Sequence, residues 1–422
     1  MKLQSFFNRS LFLKSVSALL LILTLGSCSS EKIPEKPNVL IVLLDTLRAD
    51  HLGVYGYPRN TSPILDQFAK DNTFFQNAIS AAPWTPASVA SILTGLYPVS
   101  HGMMPPNDRS EAKTSSSTLS DNLVTLAEVF SSNGYKTGAI TPNPWMSPEF
   151  GYNQGFDKYN YKLKARADII TNGAIDILNE VSANNSPFFM YVHYLDPHDP
   201  YDPPGKFADM FSGAENRGFE YPEKMKENIG KYDGEIAFTD REVGRLFDYL
   251  KSKDLWKDLI VIVVGDHGEQ FMEQGDPTHG FKLYSSETHV PLMLKSYRKA
   301  DRGRIVSNTV STIDIAPTII ELAKVKDSTS RAGLSLTSDE SLKNRPGVLS
   351  EIRRRYSQKS IVDNEGRKLI LTIPLEEDSA DFKTSLTRWK NPEIVGVFDR
   401  NKDSGERAPL QVDSVTYSKL RE

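Results

Sequence analysis

Cysteine is almost missing from the chain: Cys28 stands alone among 422 residues. One thiol excludes an intramolecular disulfide, a four-cysteine zinc site and an iron–sulfur cluster. A strong charge of either sign is missing too. Fifty Lys and Arg against 54 Asp and Glu leave a formal net charge of −4, which gives no reason to expect nucleic acid as a partner. The apolar run at 15–25 (SVSALLLILTL) falls well short of the roughly 20 residues that span a bilayer. What is present is ordinary for a globular protein: 39% hydrophobic and 25% charged residues, too apolar for wholesale disorder. The length allows about two or three domains and a large core.

The N-terminus accounts for the cysteine. Lys2, Arg9 and Lys14 precede the short apolar run, the pattern of a secretory signal. The run passes into Leu25-Gly26-Ser27-Cys28, which resembles a bacterial lipoprotein signal, in which the cysteine is acylated and becomes the new N-terminus. The resemblance implies a signal peptide over 1–27 and a lipid anchor at Cys28. It also implies export to the bacterial cell envelope, at the outer membrane or periplasmic face of a Gram-negative cell. An ordinary signal peptide with an incidental cysteine is the alternative. Residues 28–37, polar and broken by proline, read as a tether.

Beyond Pro37 the pattern is α/β. The aliphatic run 38–45 (NVLIVLLD) predicts a parallel strand buried on both faces. Further strands are expected at 137–141, 187–195, 258–265 and 291–295, with helices at 61–70, 121–132, 227–252 and 313–324. This alternation predicts a large mixed, mostly parallel sheet flanked by helices over 38–344. From about 345 short strands and tight turns, including Asn364-Glu365-Gly366, predict a small C-terminal antiparallel sheet with a helix on it, an α+β subdomain over 345–422.

In such a sheet ligands gather at the C-terminal ends of the strands. The first strand delivers Asp45 there, the strand at 258–265 delivers Asp266 and His267, and the strand at 187–195 delivers His193, Asp196 and His198. One such residue could simply cap a loop; three strands ending this way point to a convergent metal site. In 81–95 (AAPWTPASVASILTG) Thr85 suits a helix N-cap, Pro86 the first helical position and Gly95 the stop. Beside a divalent cation at a helix N-terminus, the Thr85 hydroxyl would be an activated nucleophile. Taken alone, the cap is the better reading of Thr85.

The chain from about 37 to 400 resembles the sulfatase family of the alkaline-phosphatase superfamily. The matching stretches, in the family's order, are NVLIVLLDTLRADHLGVYGY, APWTPASVASILTGLYPVSHG, NPWMSPEFGYNQGFD, VHYLDPHDPYDPP, YDGEIAFTDREVG, VVGDHGE and HGFKLYSSETHVPLML. The resemblance implies that Asp45, Asp266 and His267 bind a metal, with the Thr85 oxygen completing the set. It places His198 against the sulfuryl or phosphoryl oxygens and His279 and Lys282 towards the substrate or leaving group, one of them as general acid. Arg48 would orient the metal-site carboxylate and Thr85, or form a structural ion pair.

The departures from the family matter as much. Thr85 stands where relatives carry the cysteine or serine that becomes formylglycine, and Ala87 and Val89 replace the proline and arginine of the maturation motif. No formylglycine is therefore expected. Thr46 replaces the second aspartate of the usual pair, and Asp266-His267 replaces Asp-Asn, which moves the metal preference from calcium towards manganese or zinc, with calcium or magnesium as the alternative. A second metal would need Asp196, His279 and His289, whose spacing is not the family's; one divalent metal is expected. These features imply a metal-dependent hydrolase of sulfate or phosphate esters, with Thr85 attacking the ester of a small molecule, a glycan or a lipid headgroup. A phosphodiesterase or phosphotransferase using Thr85 is the alternative, as is a non-catalytic surface-binding lipoprotein. Only the lipid anchor would touch the membrane.

Overall fold

The computed structural model describes residues 34–104, 118–215, 218–354, 356–374 and 393–411. The signal segment and Cys28 lie outside the described residues. In chain order the main-sheet strands are β1 (Val39–Leu44), β2 (Thr73–Ile79), β3 (Lys136–Thr141), β4 (Lys158–Tyr161), β5 (Phe188–Tyr194), β6 (Ile260–Gly265), β7 (His289–Lys295) and β8 (Ile305–Ser311). The helices that matter here are α1 (Pro63–Asp71), α2 (Thr85–Thr94), α3 (Leu126–Ser132), α4 (Ala167–Val181), α5 (Glu223–Ser252) and α6 (Ile315–Ala323).

The eight strands are ordered β4-β3-β5-β1-β6-β7-β2-β8, and all pairings are parallel except those of β7. The aliphatic run of β1 explains its central place. Val39, Ile41 and Leu43 enter the apolar cluster on one face, and Leu40, Val42 and Leu44 enter the cluster on the other. A strand apolar on both faces is stable only between two helical layers. α2, α3 and α6 cover the first face and α4 and α5 the second.

The expected α/β architecture is therefore present, with several shifts. β2, β4, β8 and α4 carry no strong signal in the sequence. β2 has an irregular register between Phe75 and Ala78 that breaks its alternation. The helix expected over 121–132 begins at Leu126, where Thr125 and Glu128 form a reciprocal capping box. The tether is shorter than its composition implies: Lys36 donates to the Asn133 carbonyl at 2.9 Å and Pro37 is buried, so both belong to the fold.

A second sheet, ordered β12-β11-β10-β9, is built from β9 (Val348–Arg353), β10 (Tyr356–Val362), β11 (Arg367–Pro374) and β12 (Glu393–Asp399), all antiparallel. Gly366, at φ 79°, closes the β10–β11 turn as expected. The helix expected beside this sheet is not found among the described residues. β9 is stitched to the end of β2: the Glu351 amide donates to the Ala81 carbonyl at 2.9 Å and Ser350 Oγ to the Ser80 carbonyl at 2.6 Å. Among the described residues no helix is long and apolar enough to cross a membrane.

Asp240 of α5 starts α1 from outside, accepting from the amides of Ile64 at 3.0 Å and Leu65 at 2.8 Å. Burial nevertheless pushes its carboxyl up to about 7. A folded pKa above the unfolded one means that the native state holds the proton longer, so stability falls as pH rises towards and through that value. Asp240→Asn keeps an acceptor and cannot ionise. Thermal melts from about pH 5 to about pH 8 should show the variant gaining on the wild type as pH rises; a constant difference would refute the assignment.

Candidate active site

β1 and β6 are neighbours in register, with Leu44 opposite Gly265, so Asp45 and Asp266 emerge side by side at one edge of the sheet. Both side chains are fully buried. Asp45 Oδ2 accepts from Asn143 Nδ2 at 2.6 Å and from His193 Nε2 at 3.0 Å. That leaves Oδ1 facing Thr85 Oγ1 at 3.3 Å. The next residue, Thr46, is held at φ 51°, a conformation that a β-branched residue adopts only under constraint. The turn aims the Thr46 amide at Asp266 Oδ1, 3.0 Å away. Its carbonyl accepts from the Tyr232 hydroxyl at 2.7 Å, and Thr46 Oγ1 bonds the Pro197 carbonyl.

Thr85 opens α2, but not as its cap. Trp84 is the N-cap, Thr85 is the first helical residue and Pro86 the second, one position later than expected. The hydroxyl is thereby released from capping. It lies 3.1 Å from His267 Nε2 as well as facing Asp45. Gly95 ends the helix at φ 67°, as expected. His267 Nδ1 donates to the Gly268 carbonyl at 2.8 Å, which fixes the tautomer and turns the Nε2 lone pair into the site. Ser88 Oγ at 2.6 Å and Ser80 Oγ at 2.5 Å both donate to the Asp266 carbonyl and tie β6 to α2.

Two further expected residues join this group. The His279 ring centroid is 4.4 Å from that of His267 and 5.1 Å from that of His198. Lys282 and Arg48 are directed elsewhere. Lys282 Nζ pairs with Asp276 at 2.8 Å and bonds the Gln274 carbonyl. The Arg48 guanidinium binds Asp50 at 2.9 Å, Glu273 at 2.6 Å and the Glu269 carbonyl at 3.0 Å, so it is the ion pair and not the group that orients Asp45 and Thr85. Asp196 caps α4 through the Ala167 amide at 2.7 Å, and His289 bonds the Gln76 carbonyl at 2.9 Å. Neither converges with His279.

Among the described residues the one group of three metal-capable side chains is Asp45, Asp266 and His267, with ligand atoms within 4.8 Å of one another. Burial opposes the charge on Asp45, but the His193 hydrogen bond and the nearby imidazoles outweigh it and hold the carboxyl low. Burial and the Asp45 charge push Asp266 well up, and burial together with His279 pushes His267 down. Asp266 Oδ2 is buried without a hydrogen-bond partner. A lone carboxylate oxygen, a neutral imidazole lone pair and a hydroxyl facing one point suit a divalent cation, whose charge would let both carboxylates ionise.

The Sulfatase family profile matches residues 37–325. The chain belongs to the sulfatase family. It is thus a sulfuric ester hydrolase by descent, in a family that typically binds a divalent metal. The ulvan-active sulfatase of Formosa agariphila is 27% identical over 354 residues, spanning 73% of this chain and 67% of that protein. Among solved structures, a protein in complex with its substrate D-glucosamine-2-N,6-O-disulfate superposes with TM-score 0.71 at 18% identity, covering 91% of this chain and 96% of the other. The phosphonate monoester hydrolase of Agrobacterium radiobacter gives 0.70 at 18%, covering 92% and 93%. These likenesses establish the alkaline-phosphatase-like fold that the sequence implied.

Asn143 and Tyr232 carry no role in a reading of the sequence alone, and His193 appears there only as a strand-end residue. The signal for Asn143 was the one used for Asp45, a polar side chain just past a strand. Tyr232 had none, because its partner is a backbone carbonyl. Asn143→Ala removes the 2.6 Å donor from Asp45. In calorimetric titration it should weaken manganese or zinc binding about 10- to 100-fold. Unchanged affinity would show that Asp45 needs no such support.

Proposed function

We propose that this sulfatase-family hydrolase cleaves sulfate esters of a sulfated glycan or small molecule with Thr85 as the nucleophile. The observation that carries the reading is the Thr85 hydroxyl itself, freed from capping and set between Asp45 Oδ1 and His267 Nε2. Asp45, Asp266, His267 and the Thr85 oxygen would hold a divalent cation, manganese or zinc by the imidazole in the set, which would lower the hydroxyl's pKa and offset charge on the ester oxygens.

The remaining steps belong to the chain's own residues. Thr85 Oγ, its proton released to water, forms a bond to sulfur as the bond from sulfur to the alcohol oxygen breaks, its electron pair staying on the departing oxygen. His198 and the N-terminus of α2 face the charge on the nonbridging oxygens. His279 supplies the proton to the leaving oxygen. Water then attacks sulfur, giving one proton back to His279 and the other to Thr85 Oγ as the Oγ–S bond breaks, so the net reaction is sulfate ester plus water to alcohol, sulfate and one released proton. The disulfated glucosamine named as substrate of one structural neighbour and the ulvan named for a relative support a sulfated sugar. Lipid anchoring at Cys28 in the cell envelope is part of the same proposal and rests on the Leu25-Gly26-Ser27-Cys28 stretch alone.

A second reading is kept for one reason: an unmodified threonine must itself be released from a covalent ester, and displacement at phosphorus is the better-supported chemistry for that. The phosphonate monoester hydrolase neighbour has this fold. Purified protein with manganese or zinc, assayed on an aryl sulfate, a phosphate monoester and a phosphodiester, separates the two. Thr85→Ala should lower kcat/KM on the preferred ester by at least about 10³-fold, and chelation should abolish turnover. No turnover of any ester by the wild type, or an unaffected Thr85→Ala variant, would end the nucleophile reading.

A further inference from the structure

Glu269 lies two residues beyond His267 on the loop after β6, and its side chain is fully buried. Its Oε1 is 3.1 Å from His279 Nδ1, and its Oε2 accepts from the Tyr201 hydroxyl at 3.0 Å. A carboxylate only accepts, so the proton between Glu269 and His279 sits on Nδ1. The Glu269 backbone is pinned as well, because its carbonyl takes Arg48 Nη1 at 3.0 Å while Arg48 is held by Asp50 and Glu273.

The other side of the contact is equally fixed. Glu287, fully buried, accepts from the successive amides of Gly280 at 2.6 Å, Phe281 at 3.2 Å and Lys282 at 3.2 Å, which sets the loop that carries His279. An imidazole is nearly symmetric about its long axis. Without a partner on one nitrogen, it presents either nitrogen to the site. With Nδ1 engaged, Nε2 is the nitrogen left to meet a substrate, on a ring that stands against those of His267 and His198.

We propose that Glu269 is a positioning residue that holds His279 by Nδ1, so that Nε2 alone is presented to the leaving-group oxygen. This rests on the reading of the site as an ester hydrolase with His279 at the leaving group. As the bond from sulfur to the leaving oxygen breaks, that oxygen keeps the electron pair and takes the Nε2 proton, while the Nδ1 proton stays on the ring, donated to Glu269. Tyr201, on the segment that follows β5, fixes the carboxylate's second oxygen and so sets its plane.

The test uses a series of aryl sulfates whose phenols range from good to poor leaving groups. A poor leaving group needs the proton and a good one does not. Glu269→Ala should lose about 10²-fold more kcat on the poorest phenol than on the best. Glu269→Gln, which keeps an acceptor for Nδ1, should recover most of that difference. Combining Glu269→Ala with His279→Ala should add nothing to the leaving-group dependence of His279→Ala alone. An equal loss across the series, or additive losses in the double variant, would overturn the proposal. NMR of the ring nitrogens in the full-length chain, assigned with His279→Asn and recorded where the ring is neutral, supplies a readout independent of turnover. The wild type should show the Nδ1–H form and Glu269→Ala a mixture. An Nε2–H form in the wild type, or no change in the variant, overturns the proposal even if no sulfate ester is turned over, a result that would separately remove the nucleophile reading.

Discussion

Asp45 and Asp266 are two carboxylates buried next to each other at the ends of adjacent parallel strands, and the surroundings are organised around that repulsion. Burial and proximity both disfavour a second negative charge, which is why one acid is held low and the other high. Asn143 and His193 are spent on Asp45, and the Thr46 amide is bent into a left-handed turn to reach Asp266. After these donations one oxygen of Asp266 still lacks a partner. A divalent cation would resolve the conflict, because its charge would stabilise both anions together.

Much of this was legible because the acids sit where strand chemistry ends. The aliphatic runs of β1 and β6 are long and unbroken, so their termini, and with them Asp45, Asp266 and His267, could be placed by reading alone. Thr85 was legible as a residue at a helix start, but its register was not. Cap and first turn differ by one position, and Pro86 tolerates either. The difference decides whether the hydroxyl serves the helix or the site. Arg48 shows the opposite limit: its sequence neighbours said nothing of Glu273, 225 residues away, which takes its guanidinium. β2 and β8 carry no clear strand signal because their pairing is irregular and polar residues, Gln76-Asn77 and Ser307-Asn308-Thr309, interrupt their apolar runs.

The loops after the strands are rigid for reasons that can be named. Backbone amides of the loop bearing His279 close on the Glu287 carboxylate, and Asp233 gathers His51 at 2.7 Å, Tyr57 at 2.6 Å and Arg59 at 2.8 Å, from which Arg59 reaches Glu215 at 2.9 Å. Buried carboxylates with several donors each thus serve twice in this protein, some to build the reaction centre and others to hold the chain around it. Membership of the sulfatase family fixes the fold and reaction class.

The stitch between the two sheets has a consequence for how such a chain can diverge. Ser80 passes its carbonyl to Ser350 of the small sheet and its hydroxyl to the carbonyl of Asp266. A displacement of β9 is therefore relayed across one residue to the backbone of a candidate metal ligand. Through Ser80, the position of the C-terminal sheet and that of the Asp266 backbone are joined by hydrogen bonds on one residue. Exchanging the sheet between relatives would need a compensating adjustment at Ser80 before the acid returned to its place.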